Sequence, residues 1–430
     1  RVLVAGAYGL IGSYVAARLH ADGHQIVGAG RSHDTARRRW PHYAWIEADF
    51  SRLIRPEDWA PLLGGIDAVV NCVGILQDSP RDDIRAVHVL GAGALFRACE
   101  RAGIRRVVHV SAVGTDEAVG TGFARTKREA EDDLRSLELD WVILRPSLVV
   151  ARNAWGGMAL IRALAGFPLA IPLAGGTGLL QPVHVDEVTA TVAVLLRPEA
   201  PSRLTLELGG PEPMALAEIV RTFRAWLGFA PAPVLHVPGA LATPIYGLGD
   251  IASWLGWRPP IRTTAGIQLA HGAIADPAAW TAATGIVPRR LADALACDPA
   301  TVQDRWYARL YLLKAVAILV LALYWIATGV IALGPGYEAG AALLRGAGFG
   351  ELTDMVLVGS SALDILLGAA LLVRRTAKAA LVGMIAVSVG YLVTGTVVLP
   401  GLWSDPLGPL VKVLPILVLT LAVLGMLDER

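Results

Sequence analysis

Cysteine is scarce in this 430-residue chain: Cys72, Cys99 and Cys297 are the only three. None stands in a CxxC pair, and no His/Cys cluster has the spacing of a zinc site. A disulfide scaffold and a structural metal are thereby excluded, and the thiols are expected reduced, in a cytoplasmic domain. Charge is scarce as well. Charged residues make up 17% of the chain and hydrophobic ones 54%, against about 25% charged in an ordinary soluble domain. Part of the chain is therefore expected in lipid. The net charge of +1 offers no basic field to nucleic acid. Lysine is limited to Lys127, Lys314, Lys378 and Lys412, so arginine supplies nearly all the positive charge, as a bias of composition. No secretory signal pattern opens the sequence, and the membrane address is expected further along.

What is present divides in three. Residues 1–150 alternate short apolar runs, at 2–5, 25–29, 44–48, 66–71, 106–111 and 141–145, with amphipathic stretches at 10–21, 82–102 and 126–137. Near-continuous apolar strands between helices predict a doubly wound parallel sheet covered on both faces. Residues 151–303 are rich in Pro and Gly, with helical patterns at 186–196, 215–227 and 288–296, and are expected to form a substrate-side lid. Together, 1–303 make one nucleotide-binding domain. The run 234–257 is apolar but holds His236, Pro238, Pro244 and Asp250, which reads as a buried or interfacial helix rather than a span. Residues 304–430 hold four apolar segments, 310–333, 355–373, 379–399 and 410–426. Each has about the length that crosses a roughly 30 Å hydrocarbon core, predicting a four-helix transmembrane bundle.

The basic residues orient the spans. Arg305, Arg309 and Lys314 flank the first, and Arg374, Arg375 and Lys378 separate the second from the third. The positive-inside rule puts both termini in the cytoplasm, where nucleotides are, and a bacterial inner membrane is the expected location.

The chemistry begins at Val4-Ala5-Gly6-Ala7-Tyr8-Gly9-Leu10-Ile11-Gly12, directly after the first strand and opening a helix. Gly6 permits a tight turn, Gly9 lets a pyrophosphate approach the backbone, and Gly12 lets the helix pack on the strand. The helix N-terminus then offers free N–H groups to phosphate. The GxxGxxG spacing resembles the short-chain dehydrogenase/reductase (SDR) superfamily, in its extended and atypical, epimerase/dehydratase-like members. Further segments carry the resemblance across about 300 residues: Ala48-Asp49-Phe50, Val70-Asn71-Cys72-Val73-Gly74, Val110-Ser111-Ala112, Arg145-Pro146-Ser147 and Gln181-Pro182-Val183-His184-Val185-Asp186. It implies that Asp49 and Phe50 lie at the adenine, that Asn71, Val73 and Gly74 lie under its ribose, and that Ser111 is catalytic. Atypical members similar to the nucleotide-binding accessory subunit of respiratory complex I are the relatives implied. The segment from 305 onward resembles the DoxX-like membrane family in helix count and texture.

Two positions depart from the pattern. An acid about 20 residues past the glycine loop would hold the ribose 2′-OH of NAD, but Gly28-Ala29-Gly30-Arg31-Ser32 has none. Arg31 and Ser32 favour the 2′-phosphate of NADP(H), while the later Asp34 keeps NAD(H) open. The SDR mechanism also implies a Tyr-xxx-Lys pair on one helix face, the Tyr trading a proton with substrate. Here Gly122-Phe123-Ala124-Arg125-Thr126-Lys127 keeps Lys127 and puts Phe123 at the Tyr position. His109 is expected to point away from Ser111, and Asp186 is expected to cap the helix it precedes. In the membrane, Asp364 falls mid-span with Tyr324 and Tyr391 at similar depth, a polar group that suggests a quinone or proton site or a hydrogen-bonded packing contact.

These observations predict a membrane-bound, NADP(H)-binding oxidoreductase acting on a lipid-soluble substrate such as a quinone or isoprenoid. Phe123 leaves open a non-catalytic nucleotide-binding module of a membrane complex. Asp364 leaves open a membrane domain that does the work under control of the nucleotide domain.

Overall fold

The computed structural model describes residues 1–31, 33–79, 82–115, 120–174 and 178–427. The chain divides into two compact units: Arg1–Asp250 with Pro259–Ala308, and Ile251–Arg258 with Arg309–Arg430.

The first unit is built on seven parallel strands: β1 (Val2–Ala5), β2 (Ile26–Gly30), β3 (Ala44–Glu47), β4 (Ala68–Asn71), β5 (Arg106–Val110), β6 (Asp140–Pro146) and β7 (Leu204–Leu208). Their order is β7-β6-β5-β4-β1-β2-β3. The order reverses between β1 and β4, and ligands of such sheets bind at that switch point, beyond the carboxyl ends of the strands. The register aligns those ends, with Ala5 beside Ala29 and Asn71, and Asn71 beside His109. Strand alternation sorts the apolar side chains onto two faces. Val4, Val70, Val108 and Leu144 pack with α1 (Leu10–Ala21) on one face. Leu3, Val69, Val107 and Ile143 pack with Phe96 and Leu134 on the other.

The helix expected at 82–102 is two pieces: a π-helical turn, Ala86–Gly91, then α2 (Ala92–Arg101). A Cβ at Gly91 would collide with the Phe50 carbonyl, so the wide turn lies where the chain passes closest to the neighbouring backbone. The helix expected from 126 starts a turn earlier, as α3 (Gly122–Arg135), because the Thr121 side chain caps it by accepting the Ala124 N–H at 3.2 Å. The apolar run from 234 is a short strand, Val234–Val237, paired with Ile171–Ala174, followed by the helices α5 (Gly239–Trp254) and α6 (Thr263–His271). The helix α4 (Val185–Leu195) is capped by His184 and not by Asp186, which lies inside the first turn. The His184 Nδ1 accepts the Asp186 N–H at 3.3 Å, and Glu187 reaches back to the His184 N–H at 3.0 Å. This reciprocal box satisfies two end donors that Asp186 would have satisfied singly.

In the second unit, three helices are long and apolar enough to cross a membrane: α7 (Val302–Leu333), which begins in the first unit, α9 (Thr353–Leu372) and α10 (Ala377–Val398). The fourth, α11 (Pro409–Gly425), is a shorter apolar helix of 17 residues. The loop expected between the first two spans contains a helix of its own, α8 (Tyr337–Gly346). Leu321, Trp325, Leu371, Leu381, Met384 and Val423 share one core, which draws on α7, α9, α10 and α11. The α9 and α7 backbones meet where Gly368 faces the Ala322 carbonyl and Ile326, a spacing no larger residue would leave.

Candidate functional site

The loop after β1 is shaped by its glycines. Gly6 has φ +74°, which disfavours any side chain there. The Gly9 N–H donates to the Gly6 carbonyl at 2.8 Å, closing the turn. A Cβ at Gly12 would strike the same carbonyl, so α1 can start this close only with glycine. Ala7 is buried and Leu10 and Ile11 pack against the same core, which leaves backbone, not side chains, facing outward over the helix N-terminus. This is a cradle for a pyrophosphate.

The adenosine end lies over β2 and β3. Tyr8 leaves the loop and sets its ring against Gly30, and its hydroxyl accepts the Arg31 N–H at 3.0 Å. The Arg31 guanidinium is paired with Asp82 at 2.6 Å, an acid 51 residues away that no local pattern places there. Ser32 lies outside the described residues. Asp49 accepts from the Ser51 N–H and hydroxyl at 3.1 and 2.7 Å, holding the turn after β3. The Phe50 ring is buried edge-on against Trp59, so that position offers backbone alone to a ligand. Asn71, fully buried, accepts the Val73 N–H at 3.0 Å and so shapes the loop after β4.

The reactive end lies where β4 and β5 finish. Lys127 is buried on α3, and its ammonium donates to the Val110 carbonyl at 2.9 Å and the Val73 carbonyl at 3.4 Å. Gly74 leaves its head group room, since a Cβ there would stand 3.3 Å from Nζ. Burial pushes the ammonium down to about 8, partly offset by Glu131 one turn along the helix. Ser111, next to Val110, is buried with its Oγ unpartnered among the described residues. A buried hydroxyl in that state is suited to a ligand atom. Phe123 is half-buried one helical turn before Lys127.

His88, which sequence reasoning passed over, faces Phe123 edge-on with ring centroids 5.8 Å apart. It does not replace the missing tyrosine. Its Nε2 accepts the Ile75 N–H at 3.0 Å, so the ring proton sits on Nδ1 and goes to the Thr126 hydroxyl at 2.9 Å. Thr126 in turn donates to the Gly122 carbonyl at 2.8 Å. Burial, with Lys127 and His109 adding to it, drives the imidazole down to about 2, so it stays neutral. His109 does not point away from the site, contrary to expectation. Its ring bonds the Asn71 amide at 3.3 Å, and Lys127 helps burial to hold it well below the usual imidazole range. The ladder runs on past Val110, the Ser111 N–H donating to the Leu144 carbonyl at 2.7 Å, and residues two apart on a strand share a face, so alternation sets His109 and Ser111 on the same side.

The other segments that carry the family resemblance have structural partners. Arg145 and Glu131 form a buried bidentate pair, Nε to Oε1 at 3.0 Å and Nη2 to Oε2 at 2.5 Å. Gln181 donates to the Gly210 carbonyl at 2.6 Å and accepts the Ala275 N–H at 2.9 Å.

A switch-point crevice with a glycine cradle, a buried lysine and a serine at the end of β5 defines a dinucleotide-binding domain of the epimerase/dehydratase-like SDR fold. Residues 6–161 match the NAD(P)H-binding family, and residues 322–421 match the DoxX-like family. The chain thus joins an NAD(P)H-binding, oxidoreductase- or epimerase-like Rossmann domain to a DoxX-like membrane domain. It is 26% identical over 259 residues to NADH dehydrogenase (ubiquinone) 1 alpha subcomplex subunit 9, mitochondrial, of Arabidopsis thaliana, covering 56% of this chain and 62% of that one. It is 24% identical over 315 residues to ceramide reductase of Caulobacter vibrioides, covering 67% of this chain and 97% of that one. In fold it is similar to a Thermotoga maritima UDP-glucose 4-epimerase, with TM-score 0.53, 16% identity and coverage of 72% of this chain and 99% of that one. The Bordetella bronchiseptica enzyme WbmG in complex with NAD is similar too, with TM-score 0.52, 17% identity and coverage of 69% and 91%.

Proposed function

We propose that the chain is a membrane-bound oxidoreductase that prefers NADPH and reduces a carbonyl of a lipid-soluble substrate, of quinone or isoprenoid type. The observation that carries this reading is a buried Lys127 bonded to the Val110 carbonyl beside a buried Ser111 hydroxyl that has no partner among the described residues, in a chain with three helices long and apolar enough to cross a membrane. Bound nicotinamide would supply the hydride. The residues present would do the rest. The glycine loop holds pyrophosphate through its N–H groups, Lys127 turns its ammonium to ribose hydroxyls, and Ser111 donates to the substrate oxygen. Arg31 meets the 2′-phosphate in competition with Asp82.

Phe123 narrows the substrate. A simple ketone becomes an alkoxide on taking up hydride and needs an acid beside it. A quinone becomes a phenolate-like oxygen, a far weaker base, which Ser111 and solvent can serve. The ceramide reductase is named for a lipid substrate, which supports a membrane-borne substrate in general. The basic residues Arg374, Arg375 and Lys378 support a topology with both termini in the cytoplasm of a bacterial inner membrane. Reporter fusions after Gly348 and after Arg375 should then report opposite sides.

The deciding experiment uses the full chain in lipid nanodiscs with NADPH, following nicotinamide absorbance against a panel of quinones, isoprenoid carbonyls and simple aldehydes. Turnover of quinones and little of aldehydes is expected. Phe123→Tyr should raise aldehyde reduction by about 10²–10⁴-fold, the usual worth of general acid–base help. Brisk aldehyde reduction by the unaltered chain would refute this account of position 123. NADPH binding with no turnover on the whole panel, before and after Phe123→Tyr, would instead favour a non-catalytic nucleotide-binding module of a membrane complex.

A further inference from the structure

The helix α5 (Gly239–Trp254) is polarised in reverse for a helix facing water. Its protein-facing side carries small and polar residues: Ala242 and Ser253 are buried, and Asp250 is half-buried. Asp250 accepts from Gln77 at 2.9 Å and from the Thr263 hydroxyl at 2.5 Å. The opposite side presents Leu241, Ile245, Leu248, Ile251 and Trp254, each between 43% and 72% exposed. Their spacing of three and four residues makes one continuous stripe. Asp250 is the only charged residue in the helix, and it lies off that stripe. A contiguous apolar face of this kind marks an interaction surface.

What covers it is indicated by the chain that follows. Within the second unit, the Arg374 N–H donates to the Leu255 carbonyl at 3.0 Å, and the Trp257 indole donates to the Leu372 carbonyl at 2.7 Å. The Arg374 guanidinium stands 5.6 Å from the Trp257 ring centroid. Leu372 is the last residue of the span α9, and Arg374, Arg375 and Lys378 follow it. The residues directly after the stripe are therefore fixed at the end of a span, where hydrocarbon gives way to water. Tryptophan and basic side chains are the usual occupants of that level. At 16 residues, or about 24 Å at 1.5 Å per residue, α5 is too short to cross a roughly 30 Å core.

We infer that α5 is an in-plane membrane helix. Its occupant is the bilayer into which α9 inserts, and its stripe lies among the acyl chains at the headgroup boundary. The inference concerns where the helix sits, and stands whether or not the nucleotide domain proves catalytic.

The test uses full-length protein carrying Cys297→Ser, in nanodiscs of phosphatidylcholine and phosphatidylglycerol. Nitroxide labels go on Leu241→Cys, on Leu248→Cys and, as a water-facing control, on Asp132→Cys. Spin relaxation is measured with oxygen, which concentrates in lipid, and with a nickel chelate, which stays in water. Oxygen should dominate at 241 and 248, and the chelate at 132. Chelate-dominated relaxation on the stripe would overturn the inference. So would dipolar broadening between labels, which would mean that a second copy covers the face. An independent measure needs no label: brominated phosphatidylcholine should quench less of the tryptophan emission in Trp254→Phe than in the unaltered chain. Equal quenching would count against lipid contact at that end of the stripe.

Discussion

The two units differ most in what they leave outside. In the first, Val4, Leu19, Val70, Phe96 and Ile143 are inside, and water outside drives them there. In the second, Leu323, Leu366, Val397 and Val418 point outward, while Ser361, Asp364, Ser388 and Thr420 are inside. Lipid tails are as apolar as leucine, so association of those helices relies on close packing and interhelical hydrogen bonds rather than on expulsion of water. The difference teaches that the same observation, a buried polar group, has two meanings. In the water-soluble unit it stands against a strong apolar background and must be paired. In the membrane unit it belongs to the ordinary means of assembly. By this criterion α5 is built in the style of the second unit along its outer face.

The most severe way to test the contrast is to unpair a buried charge in the first unit. Glu131 and Arg145 are both buried, and Glu131 also receives Arg135 at 2.9 Å. Glu131→Gln should take away the closest carboxylate of Arg145, leaving it Glu207 at 3.9 Å, and destabilise the nucleotide unit by up to about 3–5 kcal/mol, read from denaturant unfolding of the full chain in detergent. A loss below about 1 kcal/mol would show that the interior is better solvated than its burial implies.

Next in size is Lys127, where function opposes stability. Burial holds its folded pKa at about 8, below the ordinary lysine value of 10.5. The unfolded chain thus holds more protons between those values, and stability rises with pH across that window. Below about pH 8 the fold carries the full cost of a buried ammonium. Lys127→Met should therefore stabilise the unit at pH 7 by about 2 kcal/mol, after allowing for its lost hydrogen bonds, while weakening NADPH binding. In the unaltered chain, calorimetry should show NADPH affinity falling as pH is raised through 8. A destabilised Met variant, or binding flat in pH, would remove the ammonium from the site.

A smaller effect is expected at the adenosine end. Arg31 is held by Asp82 at 2.6 Å, so the 2′-phosphate of NADPH must displace a carboxylate. Asp82→Asn should raise the preference for NADPH over NADH by roughly tenfold, about 1.4 kcal/mol, and Arg31→Ala should abolish it. Unchanged ratios in both variants would place nucleotide choice elsewhere.

How much of this was legible follows from how local each signal is. The glycine loop, the strands and the spans are periodic or contiguous, so β1 and α1 appear in the structure at the bounds the sequence predicted. The partners that qualify the site are not. Asp82 is 51 residues from Arg31, and His88 is 38 from Thr126, and only the sheet order brings them together. Residue composition likewise marked 234–257 as an apolar helix with polar members, but the side on which those members lie depends on Gln77 and Thr263. Capping was misread at Asp186 because His184, an unusual cap, had the reciprocal Glu187 at the right spacing.

The smallest effect is expected at Asp364, and it sharpens the contrast most. Its carboxylate is buried within the bundle and accepts from the Tyr391 hydroxyl at 3.2 Å. Asn keeps an acceptor oxygen of the same shape at that position and removes only the charge. If the group serves packing, Asp364→Asn should change bundle stability by less than about 1 kcal/mol, and Tyr391→Phe should cost a similar amount, since single interhelical hydrogen bonds in membranes average about 0.6 kcal/mol. Because the Asn oxygen still accepts from Tyr391, Tyr391→Phe should cost about as much in the Asp364→Asn background as in the unaltered chain, and the two effects should add. If the carboxylate serves a proton or a quinone, the stabilities remain as stated but quinone turnover in nanodiscs falls in Asp364→Asn and not in Tyr391→Phe. Steady-state rates beside steric-trap or denaturant unfolding separate the two. Full activity in Asp364→Asn would leave the polar interior of the second unit as architecture, and the chemistry wholly with Ser111 and Lys127.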